Sequence, residues 1–192
     1  MARPPDPRIR ARLREQAVDY VLSHGVADLA LRPLAKALNT NARMLVYHFG
    51  SREGLMRQIL IGLRERGDAQ IQSWFRKGKK PRTMPQFLRW YWKRISPPQF
   101  RPMIRLVFEL YALALRNPQD YPGVLEDPLA YWQKLLPKAG IPSKLEATEA
   151  TLLLAATRGL LLDLAATGDR ARVGRAMETL SQFVEWRSPS TK

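Results

Sequence analysis

The sequence of 192 residues contains no cysteine and only two histidines, His24 and His48. Without cysteine the chain forms no disulfide, has no thiolate metal ligand and has no cysteine nucleophile. Two histidines are too few for a multi-histidine metal site. We therefore expect neither a bound metal nor a cofactor.

The sequence also lacks a long uninterrupted apolar run. Its most apolar stretch, from Thr151 to Thr167, is broken by Arg158 and Asp163, whereas a membrane-spanning helix needs roughly 18 apolar residues with few charges. The N-terminal sequence Met-Ala-Arg-Pro-Pro-Asp-Pro has no apolar segment of a signal peptide. No glycine-rich phosphate loop and no catalytic constellation stand out. We expect a soluble, cytoplasmic protein that does not act on membranes and is not an enzyme.

Positive charge is what the chain has in excess. It carries 32 Lys and Arg residues against 17 Asp and Glu, a formal net charge of +15. Such a balance predicts a polyanionic partner, in the first place nucleic acid and in the second an anionic membrane surface. Half of the basic residues, 16 of 32, lie within residues 1–80. The N-terminal part is therefore the expected contact region.

Apolar residues recur at helical spacing along most of the chain, and strand signals are nearly absent. At the N-terminus, Ile9, Leu13, Ala17 and Val21 share one helix face, and Gly25 is placed to end that helix. With 45% hydrophobic residues, the chain can bury a sizeable core. We predict an all-α bundle of about nine helices, covering residues 7–24, 32–38, 42–48, 51–77, 85–95, 98–116, 121–136, 143–167 and 169–187.

The segment Arg32 to Phe49 has the pattern of a helix-turn-helix, in which the second helix enters the major groove of DNA. Asn39 occupies the turn, where a positive φ favours Asn or Gly, and Asn41 can cap the second helix. We expect Ala42, Leu45, Val46 and Phe49 to face inward, and Arg43, Met44, Tyr47 and His48 to face outward. The alternative is an ordinary antiparallel helix pair.

Two stretches carry a family resemblance, Leu34-Ala35-Lys36-Ala37 and the run Leu-Val-Tyr-His-Phe-Gly-Ser-Arg-Glu-Gly-Leu that ends at Leu55. Together they resemble the signature of the tetracycline-repressor (TetR) family of transcriptional regulators. The resemblance is strong over residues 8–58 and weak downstream. It implies a DNA-binding domain at residues 1–51 with a basic N-terminal arm, a helical ligand-binding and dimerisation domain at 52–187, and a tail at 188–192.

The resemblance also implies roles for particular residues in binding double-stranded DNA. Arg43 is the best candidate for bidentate recognition of guanine, and the arm with Arg3, Arg8 and Arg10 is placed to reach the backbone or minor groove. Two departures from the family pattern, Val46 and Ala30, remove or shift phosphate contacts. The predicted DNA-binding residues are Arg32, Lys36, Thr40, Asn41, Arg43, Met44, Tyr47, His48 and Arg52.

The last two predicted helices have wide apolar faces that can pair with a second copy as a four-helix interface. The predicted interface residues are Leu152, Ala156, Leu180 and Phe183. The alternative is that these faces belong to the core of a monomer.

The middle of the chain is rich in aromatic residues, as ligand pockets often are, although aromatics at helical spacing also form ordinary core. Glu109, Arg158 and Asp163 place charges within otherwise apolar stretches. Buried charge is costly unless it is paired or matched to a ligand, and a mutual salt bridge is the alternative. The predicted residues of an effector pocket are Trp90, Phe108, Tyr111, Trp132, Arg158 and Asp163.

The leading hypothesis is a homodimeric repressor that binds a palindromic operator and releases it when a small molecule binds. A second hypothesis keeps the DNA binding but has no small-molecule effector. A third is a basic amphipathic protein at anionic membranes, but its basic residues should then line one helix face. In this sequence the basic residues are spread over helix ends and the helix-turn-helix.

Overall fold

The structure is a computed structural model that describes residues 6–27, 29–76, 79–125, 129, 132–133, 136–141 and 146–187. All regular secondary structure within these ranges is helical, which confirms the predicted all-α class. Eight α-helices lie entirely within the described ranges: α1 Pro7–His24, α2 Leu31–Ala37, α3 Ala42–Phe49, α4 Arg52–Arg76, α5 Met84–Ile95, α6 Arg101–Arg116, α7 Ala147–Thr167 and α8 Arg170–Arg187.

The helices begin and end close to the predicted positions because the local signals act as expected. Asp6 caps α1 by accepting a hydrogen bond from the Arg8 backbone N–H at 2.8 Å, and Thr83 caps α5. The predicted helix at 121–136 is wrong at its start, since Pro118–Asp120 is a single 3-10 turn and residues 121–125 are not helical. Leu129, Trp132 and Gln133 are helical, and the rest of that prediction lies outside the described residues.

The chain divides into two compact units, each made from two separate stretches of sequence. The first unit contains the described residues up to Ile71 and from Arg105 to residue 125. Its apolar core draws side chains from α1, α2, α3, α4 and α6. Leu34 and Leu45 are fully buried there, and replacing such a leucine by alanine costs about 2–5 kcal/mol. This core holds the two short helices α2 and α3, which could not be stable alone.

Glu109 on α6 is a structural member of the first unit. Its carboxylate oxygen Oε1 accepts hydrogen bonds from the backbone N–H groups of Val26 at 3.0 Å and Ala27 at 2.6 Å. The neighbouring Gly25 has a φ of 81°, and a Cβ there would lie 2.8 Å from the same carboxylate. The sequence left the role of this charge within an apolar helix open. In the structure, the Glu109 carboxylate fixes the connection that leads from α1 to α2.

The second unit contains residues 72–104 and the described residues after 127. Helix α8 packs against both α5 and α7. Arg89 on α5 bonds Glu178 and Glu185 on α8, with nitrogen-to-oxygen distances of 2.9 and 3.1 Å. Arg101 donates to the carbonyl of Gly168 at the end of α7. An aromatic cluster fills the unit beside these contacts, made of Trp74, Phe75, Phe87, Trp90, Tyr91, Phe100 and Trp132.

Candidate nucleic-acid interface and apolar cavity

Helices α2 and α3 form a tight helix-turn-helix. Asn39 has a φ of 52°, in the left-handed region, as predicted. The backbone N–H of Thr40 donates to the carbonyl of Ala35 at 2.9 Å, so the chain reverses within a few residues. The side chain of Asn41 accepts from the backbone N–H of Met44 at 2.9 Å and caps α3. The predicted turn and cap are both confirmed.

The outward face of α3 carries Arg43, Met44 and Tyr47, as predicted, but two other residues are exchanged. Val46 is 40% exposed and His48 only 5%, so the expectation that Val46 faces inward and His48 outward is wrong. The reason is helical phase: Leu45, His48 and Phe49 stand at positions i, i+3 and i+4, which form one stripe. Val46 was predicted to belong to that stripe only because valine is apolar.

His48 is therefore a core residue of this region rather than an exposed one. Its ring packs edge-on against the ring of Tyr47, with centroids 5.2 Å apart. Neither ring nitrogen has a hydrogen-bond partner among the described residues. With so little exposed surface, His48 belongs to the buried stripe of α3. Its direct contact with DNA stays a prediction.

Exposed cations lie on α2 and α4, the helices that precede and follow α3 in the chain. Arg32 and Lys36 on α2 are exposed. Arg52 is exposed at the first turn of α4 and donates to the carbonyl of Leu29 at 3.3 Å. Ser51 caps α4 by accepting from the Gly54 N–H at 3.0 Å, and hydrogen bonds from its own backbone N–H and from Ser51 lower the pKa of Glu53.

Two arginines of the predicted N-terminal arm, Arg8 and Arg10, are helical. Both belong to the first turn of α1, since Asp6 and Pro7 begin the helix there. Arg10 lies 5.9 Å above the ring of Phe49 on α3. Arg3 lies outside the described residues. Ala30 precedes α2 without a side-chain cap, as the sequence predicted.

The second unit contains an apolar cavity of about 50 Å³ between α5, α7 and the segment around Trp132. Phe87, Tyr91, Leu153 and Thr157 are among its walls. None of the described residues that line it carries a charge. Burial raises the pKa of Tyr91 to about 12, so this phenol is neutral at physiological pH.

This cavity and the predicted effector pocket share few residues. Of the predicted residues, Trp132 is a wall. Trp90 instead stacks on Phe75. Arg158 is not a described wall, and Phe108 and Tyr111 belong to the first unit. Asp163 pairs with Arg172 at 2.7 Å, which lowers the pKa of the carboxyl. The sequence left a mutual salt bridge open as the alternative for Asp163 and Arg158, and Asp163 pairs instead with Arg172 on the neighbouring helix.

Helices α7 and α8 expose apolar side chains over much of their length. Leu152 is 68% exposed and Phe183 62%, while Ala156 and Leu180 are half-buried. Trp186 near the end of α8 is 84% exposed. By length and composition alone, α7 is apolar enough to cross a membrane. In this structure it packs on α8 and carries the Asp163 pair, and an exposed apolar surface of this kind is typical of an interaction face.

Comparison with solved structures relates this architecture to known proteins. The multidrug-binding protein EbrR in complex with imidazole is 24% identical, over 96% of this chain and 94% of EbrR, with a TM-score of 0.69. A transcriptional regulator from Rhodococcus sp. Rha1 is 16% identical, over 92% and 96% of the two chains, with a TM-score of 0.68. A transcriptional regulator from Mesorhizobium loti that is assigned to the TetR family is 16% identical, over 92% and 95%, with a TM-score of 0.58. This chain has the TetR fold.

The resemblance seen in the sequence is thereby confirmed at the level of the fold. No protein-family model matches the chain, and no curated protein matches it. Sequence reasoning missed the exposure of Val46 and the burial of His48 in this TetR-fold chain, and it did not select the cavity walls Phe87 and Tyr91 from the aromatic-rich segment. Counting i, i+3 and i+4 from Leu45 selects His48 and Phe49 as the buried residues and leaves Val46 exposed. The walls are set by which helices pack together, for which the sequence has no local signal.

Proposed function

We propose that this protein is a ligand-responsive, sequence-specific DNA-binding transcriptional repressor that acts as a homodimer on a palindromic operator. Residues 1–51 bind DNA, residues 52–187 bind the effector and dimerise, and residues 188–192 form a tail. The observation that carries the proposal is the exposed face of α3 with Arg43, Met44 and Tyr47, in a unit whose neighbouring helices α2 and α4 carry further exposed cations. A helix of this size in a helix-turn-helix is built to enter the major groove.

The DNA contacts divide by chemistry. Arg43 is the candidate for bidentate recognition of guanine, which specifies sequence. Arg32, Lys36 and Arg52 are phosphate contacts, which supply affinity and salt dependence. Thr40 and Asn41 precede α3, whose N-terminus with its free backbone N–H groups favours an anionic phosphate. With net charge +15, the chain approaches DNA under favourable long-range attraction.

Dimerisation is proposed through the exposed faces of α7 and α8. Leu152 and Phe183 are both more than 60% exposed, and burying a side chain of that size contributes about 1.5–3 kcal/mol. A two-fold axis would bring the same two helices of each copy together as a four-helix interface. Two recognition helices related by that axis require two half-sites, hence a palindrome.

The effector is proposed to bind in the apolar cavity of the second unit. The described walls carry no charge, and burying a charged ligand beside them is costly, so the effector is a neutral, mainly apolar molecule. The relative EbrR has been solved with imidazole and with proflavin, which supports small-molecule binding in this fold. We place the protein in the cytoplasm, where both DNA and metabolites reach it.

Ligand control follows from the size of the cavity. A cavity that holds benzene measures roughly 150 Å³, whereas this one measures about 50 Å³. We propose that an aromatic effector binding there moves α5 and α7 apart. Helix α4 runs unbroken from Arg52, a proposed phosphate contact, to Arg76, next to Trp74 and Phe75 of the aromatic cluster. An effector that binds the expanded state more tightly shifts the population away from the DNA-binding state.

The test is selection of bound duplexes from a random pool at physiological salt, followed by affinity measurement on the enriched motif. We expect a palindrome whose half-sites are about one helical turn or more apart. Enrichment of no motif, or of a motif without two-fold symmetry, would contradict the proposal.

A further inference from the structure

The exposed face of α3 is mostly apolar. Met44 is 36% exposed, Val46 40% and Tyr47 43%. Successive residues turn by about 100° around a helix, which places Val46, Arg43, Tyr47 and Met44 in that order across one continuous face. Arg43 is thus the one cation in a strip with apolar side chains on both sides. Water is a poor environment for this strip.

The major groove of DNA offers one apolar group to such side chains, the C5 methyl of thymine. The other base-edge groups in that groove are hydrogen-bond donors or acceptors, which Val cannot satisfy and Met, with only a weakly accepting sulfur, satisfies poorly. The exposed cations Arg32, Lys36 and Arg52 in the same unit match the phosphates on either side of a groove. The charge around the strip therefore favours DNA as its occupant.

We propose that Val46 and Met44 recognise thymine methyl groups on the two sides of the base contacted by Arg43. This rests on the proposed function and adds a sequence class to it: each half-site contains thymine close to guanine. Three residues of helix rise about 4.5 Å and one base step about 3.4 Å. The thymine read by Val46 lies one or two base pairs from the guanine.

The test replaces single thymines of the selected operator by deoxyuridine, which pairs identically but lacks the methyl group. Affinity is measured by fluorescence anisotropy at one fixed salt concentration. Removing one methyl from an apolar contact costs about 0.8 kcal/mol, equivalent to about a fourfold loss of affinity. We expect this loss at two thymines of each half-site and no loss at the others.

Variants assign each methyl to its side chain. Val46→Ala should bind the thymine operator more weakly and lose the uracil penalty at one position, and Met44→Ala should do the same at another. Both sites are exposed and alanine favours helices, so the fold is retained; circular dichroism checks this. Leu115→Ala on α6, which removes a 72% exposed leucine, is the control and should keep every penalty.

The outcomes separate this inference from the proposed function. Specific binding to a palindrome with no uracil penalty anywhere overturns the thymine contacts and leaves the regulator intact. A penalty that persists unchanged in both variants also overturns them, since another residue then reads the methyl. Selection of an operator that has no thymine near a guanine also overturns the thymine contacts. Failure to select any operator overturns the proposed function itself, and the thymine contacts with it.

Discussion

The carboxylate of Glu109 on α6 accepts a hydrogen bond from the backbone N–H of Val26 at 3.0 Å, although 83 residues separate the two. The same oxygen accepts from the N–H of Ala27 at 2.6 Å. A residue far along the chain thereby fixes the connection before α2. The helix-turn-helix and α6 are parts of one folded unit.

The first prediction concerns the stability of this connection. Glu109→Ala should lower the free energy of unfolding by about 1–3 kcal/mol, because two backbone N–H groups lose a charged acceptor. Glu109→Gln, which keeps a neutral acceptor, should cost less. Urea unfolding followed by circular dichroism measures both. Equal stability of Glu109→Ala and the wild type would show that water replaces the carboxylate at no cost.

The second prediction concerns the dimer. Leu152→Arg or Phe183→Glu would place an unpaired charge in the proposed four-helix interface, where desolvation is costly. Sedimentation at micromolar concentration should show a dimer for the wild type and a monomer for both variants. Leu115→Arg changes an equally exposed leucine on α6 and should leave the dimer intact. A monomeric wild type would refute the interface.

The third prediction concerns ligand chemistry in the cavity, which has no charged wall among its described residues. Benzyl alcohol, benzoate and benzylammonium share one ring and differ in charge. The neutral alcohol should raise the melting temperature, while both ions should have little effect because the cavity offers no counter-charge. Stronger stabilisation by benzylammonium would contradict the account and indicate recognition by the aromatic faces.

Ala150→Phe is the matched variant for this series, since Ala150 is a wall of the cavity and the added ring fills it. The variant should lose the response to benzyl alcohol. A response that survives would place the ligand elsewhere. Comparing the melting temperatures of Ala150→Phe and the wild type without ligand measures the destabilisation by overpacking separately.

The fourth prediction concerns pH. Burial raises the pKa of Tyr91 to about 12, above the value of about 10 for an exposed tyrosine. The unfolded chain therefore loses this proton first. The contribution to stability is complete below about pH 10 and is lost as pH rises towards 12. In an ultraviolet titration of the phenols, Tyr91→Phe should remove the latest step; an unchanged titration would be inconsistent with this burial.

The sequence predicted those features that short-range physics determines. Asn39 and Asn41 mark the turn and the cap because their side chains satisfy backbone groups a few residues away. The phase of α3 was missed because valine was assumed to be buried and histidine exposed, whereas the position of Leu45 decides the stripe. Glu109, Phe87 and Tyr91 have contacts set by tertiary packing. The partner of Asp163 is Arg172 on the next helix, and the spacing of residues in the sequence does not identify this ion pair.

The most direct test of the account compares affinity for the selected operator with affinity for a scrambled duplex at physiological salt, for the wild type, Arg43→Ala and Arg32→Ala. The wild type should prefer the operator by about 10³ or more. Arg43→Ala should lose about 1–3 kcal/mol on the operator alone, and Arg32→Ala should weaken both duplexes alike with a shallower salt dependence. A wild type that binds both duplexes equally, or an Arg43→Ala variant with undiminished preference, would contradict sequence reading by the exposed face of α3.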